Sequence, residues 1–248
     1  MIIGENRETV IDNIASAARS GAFYSKVEPG DPVLTPEQGE AIVSGYLKSR
    51  KKTAYKCKAF VARRMANAAT RLLNRDTEIV GFEKMAAVRG GAILTCNHFS
   101  PLDNTVVRCL TRKLGKKRVN IISQQSNFAM TGPIGFLMNY ADTIPLSTEH
   151  RYLLRQLPDI LEELLQKGEF VLIYPEQEMW FNYRKPRPPK RGAYHFAAKL
   201  QVPVVSCFVE MRDEPEMDRE NFHKVRYTLH ILDVLYPDPQ RSTRDNSA

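Results

Sequence analysis

Ala92-Ile93-Leu94-Thr95-Cys96-Asn97-His98-Phe99-Ser100-Pro101-Leu102-Asp103 runs from an apolar stretch, through a turn, to a helix start. Ala92–Cys96 reads as a strand covered on both faces, because it is short, apolar and closed by turn residues. Ser100 suits an N-cap and Pro101 the first helical position, so a helix is expected over about residues 101–114. The same alternation repeats outward from this segment. Strands are expected at Ile79–Gly81, Val119–Ser123, Phe170–Tyr174, Val204–Val209 and Val225–Val234, with helices at about 126–139, 149–167 and 191–200. Such a sequence implies an α/β fold: a mixed, largely parallel sheet covered by helices, with an N-terminal helical extension.

In that extension, Glu5 to Arg19 reads as a short helix and Pro29-Gly30-Asp31-Pro32 as a loop. Thr35-Pro36-Glu37-Gln38 has the form of a capping box with proline at N1. Helical spacing continues through Ile42, Val43, Tyr46, Leu47, Phe60, Val61, Met65, Ala68, Ala69, Leu72 and Leu73. A break is expected at Gly45 and in the basic run Arg50 to Lys52. Between Lys48 and Arg75 stand ten Lys/Arg and no acid. This is a basic amphipathic helix, which either lies on an anionic bilayer or packs on the core with a solvated basic face. The chain accordingly divides into a basic membrane-surface segment (1–75), a main domain (76–236) and a flexible tail (237–248).

Composition narrows the classes. With 43% hydrophobic and 26% charged residues the chain resembles ordinary globular proteins. The net charge of +8 points to a polyanionic partner or substrate: nucleic acid, an anionic membrane, CoA or acyl carrier protein. No zinc knuckle, RRM or helix-turn-helix signature supports nucleic acid, so none is expected. Cys57, Cys96, Cys109 and Cys207 form no CxxC pair, which argues against a metal and a disulfide framework. No run is long enough to span a bilayer and no targeting segment is evident. The expected location is cytoplasmic, peripheral on the inner face of the membrane.

The chemistry centres on His98 and Asp103. Five residues apart, they would lie about 140° apart on one helix. They meet only if His98 sits in the turn and Asp103 in the first helical turn. A neutral imidazole is suited to take a proton from an alcohol near pH 7. A carboxylate behind it would set its tautomer and stabilise the imidazolium. Ser100-Pro101-Leu102-Asp103 is also a capping box, so the alternative role for Asp103 is to satisfy helix N–H groups. Phe170–Tyr174 is a second buried strand, followed by Glu176. In open α/β sheets ligands gather at the carboxyl ends of strands, so His98 and Glu176 are expected together; the alternative for Glu176 is a solvated loop carboxylate. Met179 to Ala193 then holds five basic residues, no acid and the only Trp. It is either an anion-binding loop or a solvated one stiffened by prolines.

At these residues the sequence resembles the 1-acyl-glycerol-3-phosphate (lysophospholipid) acyltransferase family. The shared blocks are Asn97, His98, Ser100 and Asp103; Gly132 to Pro145, ending in Ile144-Pro145; Tyr174-Pro175-Glu176; Arg191-Gly192-Ala193; and Val202-Pro203-Val204. Together they span about residues 78 to 210. Two departures stand out. The family's Pro-Glu-Gly-Thr-Arg reads Pro175-Glu176-Gln177-Glu178-Met179, and its Ile-Pro-Val-Asp-Arg reads Ile144-Pro145-Leu146-Ser147-Thr148. The arginines associated with acceptor phosphate are thus absent at Met179 and Thr148, unless Arg151 substitutes for the second.

The resemblance implies an O-acyltransferase of phospholipid biosynthesis. His98 would be the general base and Asp103 its orienting partner, with Asn97, Ser100, Glu176, Arg184, Lys190 and Arg191 at the substrates. The donor would be acyl-CoA or acyl-ACP as co-substrate, with no other cofactor and no metal. The acceptor would be lysophospholipid-like, its phosphate falling to Arg184, Lys185, Lys190 or Arg191, or being absent. The competing readings are a catalytically silent lipid- or nucleic-acid-binding module and an acyl ester or thioester hydrolase. For the hydrolase, no G-x-S-x-G elbow is present.

Overall fold

The computed structural model describes residues 6–29, 32–219 and 221–248. Among the described residues seven strands form one sheet in the order β1-β7-β6-β2-β5-β3-β4. These are β1 (Glu78–Val80), β2 (Ala92–Thr95), β3 (Asn120–Gln124), β4 (Thr143–Leu146), β5 (Phe170–Ile173), β6 (Val204–Arg219) and β7 (Phe222–Leu235). All neighbours are parallel except β6 and β7.

The helices are α1 (Arg7–Arg19), α2 (Pro36–Ser49), α3 (Thr53–Leu73), α4 (Asn104–Lys113), α5 (Gly132–Tyr140), α6 (Leu157–Gln166), α7 (Gly192–Leu200) and α8 (Thr243–Asn246). Successive residues of the central strands point to opposite faces. Ala92, Leu94, Phe170 and Leu172 join Val106, Val107 and Leu110 of α4 in one core. Ile93 and Val171 join Leu157, Leu161 and Leu164 of α6 and Phe196 of α7 in the other.

Several elements differ from the sequence reading, among them the helix expected over 126–139, which is a 3-10 turn, Gln125–Ala129, followed by a helix that starts at Gly132. β4 was not foreseen: it is four residues long and contains Pro145. As the edge strand it tolerates a residue that cannot donate to a ladder. The hairpin of β6 and β7 is longer than expected. Its polar outer part is held by cross-strand pairs, Glu210 with His230, Glu214 with Arg226 and Glu216 with Lys224, and its register shifts around Pro215. The helix expected over 149–167 opens with a π-helical turn, Tyr152–Gln156, and becomes α6 at Leu157. Pro158 lacks an N–H and crowds the preceding turn, which the wider turn relieves.

The N-terminal helices pack on this sheet. The helix expected from Glu5 is described from Arg7, Glu5 lying outside the described residues, as do Gly30 and Asp31 of the expected loop. The capping box at Thr35 forms in both directions, Gly45 does not interrupt α2, and the break falls at Arg50 to Lys52. Arg50 pairs with Glu163, and Arg63 grips Asp142 through two bonds of 2.7 Å.

The inward face of α3 is a stripe of Ala59, Ala62, Ala66 and Thr70, packed toward α4 and α5. Phe60, Val61, Met65 and Leu72 point outward, Leu72 being 80% exposed. Among the described residues no helix is long and apolar enough to cross a membrane. The terminal stretch, read as a flexible tail, carries α8 beside α7. Ser242 caps that helix, and Asn246 bridges to Asp238.

Candidate active site

Thr95 of β2 lies opposite Ile173 of β5. His98 and Glu176 each stand three residues further on, past the carboxyl ends of adjacent central strands. They meet there: the His98 N–H donates to Glu176 Oε2 at 3.1 Å. The side chain of His98 is 22% exposed and that of Asp103 3%.

His98 Nδ1 lies 2.7 Å from Asp103 Oδ2. That oxygen also accepts the N–H groups of Phe99 at 3.0 Å and Ser100 at 3.3 Å. A carboxylate accepts rather than donates, which places the proton of this contact on Nδ1; in a neutral imidazole Nε2 is then the nitrogen with the free lone pair.

The helix starts later than the sequence implied. Residues 101–103 form a turn, with Asp103 N–H donating to Ser100 O and Thr105 N–H to Leu102 O, and α4 begins at Asn104. Asp103 makes no forward side-chain cap. Its carboxylate turns back over the loop, so the orienting contact and half of the expected capping box coexist. Ser100 Oγ accepts from Leu102 N–H rather than from Asp103.

Asn97, expected at the substrate, is buried and clamps β6. Its Nδ2 donates to Val209 O at 3.1 Å and its Oδ1 accepts from Val209 N–H at 2.7 Å. Glu176 is neither solvated nor open. Besides His98 it accepts the Arg187 N–H at 3.0 Å and the Arg187 guanidinium at 2.9 and 3.2 Å. Burial pulls the Arg187 guanidinium below its ordinary value, and the Glu176 carboxylate opposes that pull. The Arg187 guanidinium also lies 4.5 Å from the ring centre of Trp180.

The sequence reading missed Arg187 because five basic residues in one loop look alike before folding. Arg184 pairs with Asp213, and Lys190 Nζ sits 3.7 Å from the Tyr24 ring centre. Arg191 is exposed at the start of α7.

The loop also fastens the N-terminal helix to the site. Trp180 N–H donates to His98 O and Asn182 N–H to Phe99 O. Trp180 Nε1 reaches Ser25 O, and Arg187 Nη1 reaches Phe23 O. Val10, Ile14 and Ala17 of α1 pack with Trp180 and Phe181.

A cleft of about 30 Å³ beside the His98 loop is lined by Phe99, Ser100, Phe181, Asn182, Met211 and Tyr227. It is small beside ordinary ligand sites. A larger cavity of about 210 Å³ lies between α2, α3 and α5, and neither His98 nor Asp103 lines it. His98 and Asp103 do not line the smaller cleft either, but it borders their loop through Phe99 and Ser100, whose N–H groups donate to Asp103 Oδ2. Among the described residues no cluster of three or more His, Cys, Asp or Glu is arranged to hold a metal.

No functionally curated protein matches the chain. Among solved structures, the fold is similar to the crystal structure of the 1-acyl-sn-glycerophosphate (LPA) acyltransferase PlsC from Thermotoga maritima. The TM-score is 0.54 and the identity 15%, over 97% of this chain and 90% of that one. At that identity the likeness establishes the fold. The Acyltransferase family model matches residues 76–210, from just before the first strand to the middle of the sixth. That is more than half of the chain, and it contains the imidazole, its carboxylate and the loop that braces them: the chain belongs to the Acyltransferase family.

Proposed function

We propose that the protein transfers a fatty acyl group from acyl-CoA or acyl-ACP to the hydroxyl of a lysophospholipid-like acceptor at a membrane surface. The observation that carries this reading is the 2.7 Å contact of His98 Nδ1 with Asp103, which leaves Nε2 to act as base. Nε2 takes the acceptor's hydroxyl proton as its oxygen attacks the thioester carbonyl. The tetrahedral intermediate then collapses, the C–S bond breaks, and the thiolate leaves with the proton from the imidazolium. A C–O bond replaces a C–S bond, and no protein nucleophile or metal is needed.

The PlsC structure is described as an LPA acyltransferase, which supports a glycerolipid acceptor. The acceptor's anionic group would fall to exposed cations of the 184–191 loop. Arg184 and Lys190 already have protein partners, which leaves Lys185 and Arg191 the less committed pair. The outward face of α3, with Phe60, Val61, Met65 and Leu72 beside Arg64 and Arg71, is suited to an anionic bilayer.

The test is incubation with labelled acyl-CoA or acyl-ACP and a panel of lysolipids in vesicles, read by mass spectrometry. An acylated lipid is expected from the wild type, and His98→Ala should lower its rate on the order of 10²- to 10⁴-fold with the fold intact. Full activity in that variant refutes the base. No product from any acceptor, with vesicle binding retained, favours a silent lipid-binding module.

A further inference from the structure

We infer that Tyr174 is a positioning residue for the His98–Asp103 pair, holding the carboxylate through its phenol and the imidazole through its ring. This rests on the reading of His98 as the base. The Tyr174 hydroxyl donates to Asp103 Oδ1 at 2.5 Å, the oxygen that His98 does not use. Its ring stacks on the imidazole, with centres 4.0 Å apart and planes 13° from parallel.

Two consequences follow from this geometry. The first is mechanical. Rotating the imidazole out of plane would break its bond to Asp103 and collide with the stacked ring, so Nε2 is held in one direction. The second is electrostatic. Asp103 receives four donors: the His98 ring, the N–H groups of Phe99 and Ser100, and the phenol. Each draws negative charge from the carboxylate. A carboxylate that shares its charge with four donors stabilises an imidazolium less than one with three does. Loss of solvation and the Asp103 charge push the phenol well above the ordinary tyrosine range, so it stays a donor.

Tyr174 directly follows β5, two residues before Glu176, and it is 71 residues from Asp103 in sequence. One motif therefore braces the site twice, Tyr174 at the carboxylate and Glu176 at the His98 backbone.

Tyr174→Phe isolates the bond, because it removes one oxygen and leaves the ring stack. NMR titration of His98 in the substrate-free protein should show its pKa raised by roughly half to one unit in this variant. The acid limb of kcat/KM should move up by the same amount, and kcat should fall about three- to tenfold. Tyr174→Leu, which also loses the stack, should lose more.

The wild type supplies a readout that needs no variant. A slowly exchanging phenolic proton, close to the His98 ring protons, is expected in its spectrum. An unchanged His98 pKa in Tyr174→Phe, or absence of that proton, overturns the inference. Because both are read without substrate, they judge Tyr174 even if His98→Ala were to keep full activity and sink the base.

Discussion

Arg187 and Glu176 form a buried ion pair, with side chains 0% and 7% exposed, and the same carboxylate holds the backbone of His98. The basic loop, the reactive loop and the N-terminal helix are thus tied at one point. Removing one partner of such a pair leaves a charge without compensation, which typically costs about 3–5 kcal/mol. Arg187→Met should therefore lower the urea midpoint sharply and lose activity with it. A change within about 0.5 kcal/mol would show that the pair is dispensable.

Asp103→Asn separates orientation from capping. An amide retains much of the shape, but it cannot stabilise an imidazolium as a carboxylate does and can favour the other tautomer. The rate should fall on the order of 10⁴-fold, as in the serine-protease dyad, with a stability loss of about 1–3 kcal/mol from the weakened loop bonds. A purely structural Asp103 would change stability by about 1 kcal/mol and leave the rate per folded molecule unchanged.

The two faces of α3 should separate membrane contact from folding. Phe60→Asp and Leu72→Asp fall on exposed positions and should leave unfolding within about 0.5 kcal/mol of wild type. Both should weaken sedimentation with anionic vesicles. Replacing Arg64 and Arg71 by Gln should cost about 1 kcal/mol of binding each, diminished by salt. Ala62→Asp, on the buried face, should instead destabilise the fold. Vesicle binding that ignores all four outward changes would rule out this face.

Alkaline pH should destabilise the protein. Burial pushes the Cys207 thiol up to about 12, and the Tyr227 and Tyr46 phenols to about 12. The unfolded chain loses these protons near the ordinary values of about 8.5 and 10. Above them the folded state holds more protons, so stability falls as pH rises, by up to about 1.4 kcal/mol per unit for each group. Urea unfolding between pH 7 and 11 checks this, and a flat profile contradicts it.

What the sequence determined by itself was local or periodic. Strand and helix alternation announced the sheet, because apolar runs and turn residues act within a few positions. The contact of His98 with Asp103 was legible because five residues of loop and turn connect them. The capping box at Thr35 was legible for the same reason. Strand ends placed Glu176 near His98, but Arg187 as its partner depended on which of five basic residues turned inward.

Only the tertiary structure decided the remainder. Phe60, Val61, Met65 and Leu72 repeat at helical spacing, yet small alanines on the other side allow close approach to α4 and α5, so the larger residues face out. Asn97 reaches β6 and Tyr174 reaches Asp103 only after parallel pairing aligns strands distant in sequence. Side-chain spacing is written in the chain, whereas the choice of partner across a sheet is set by packing and register.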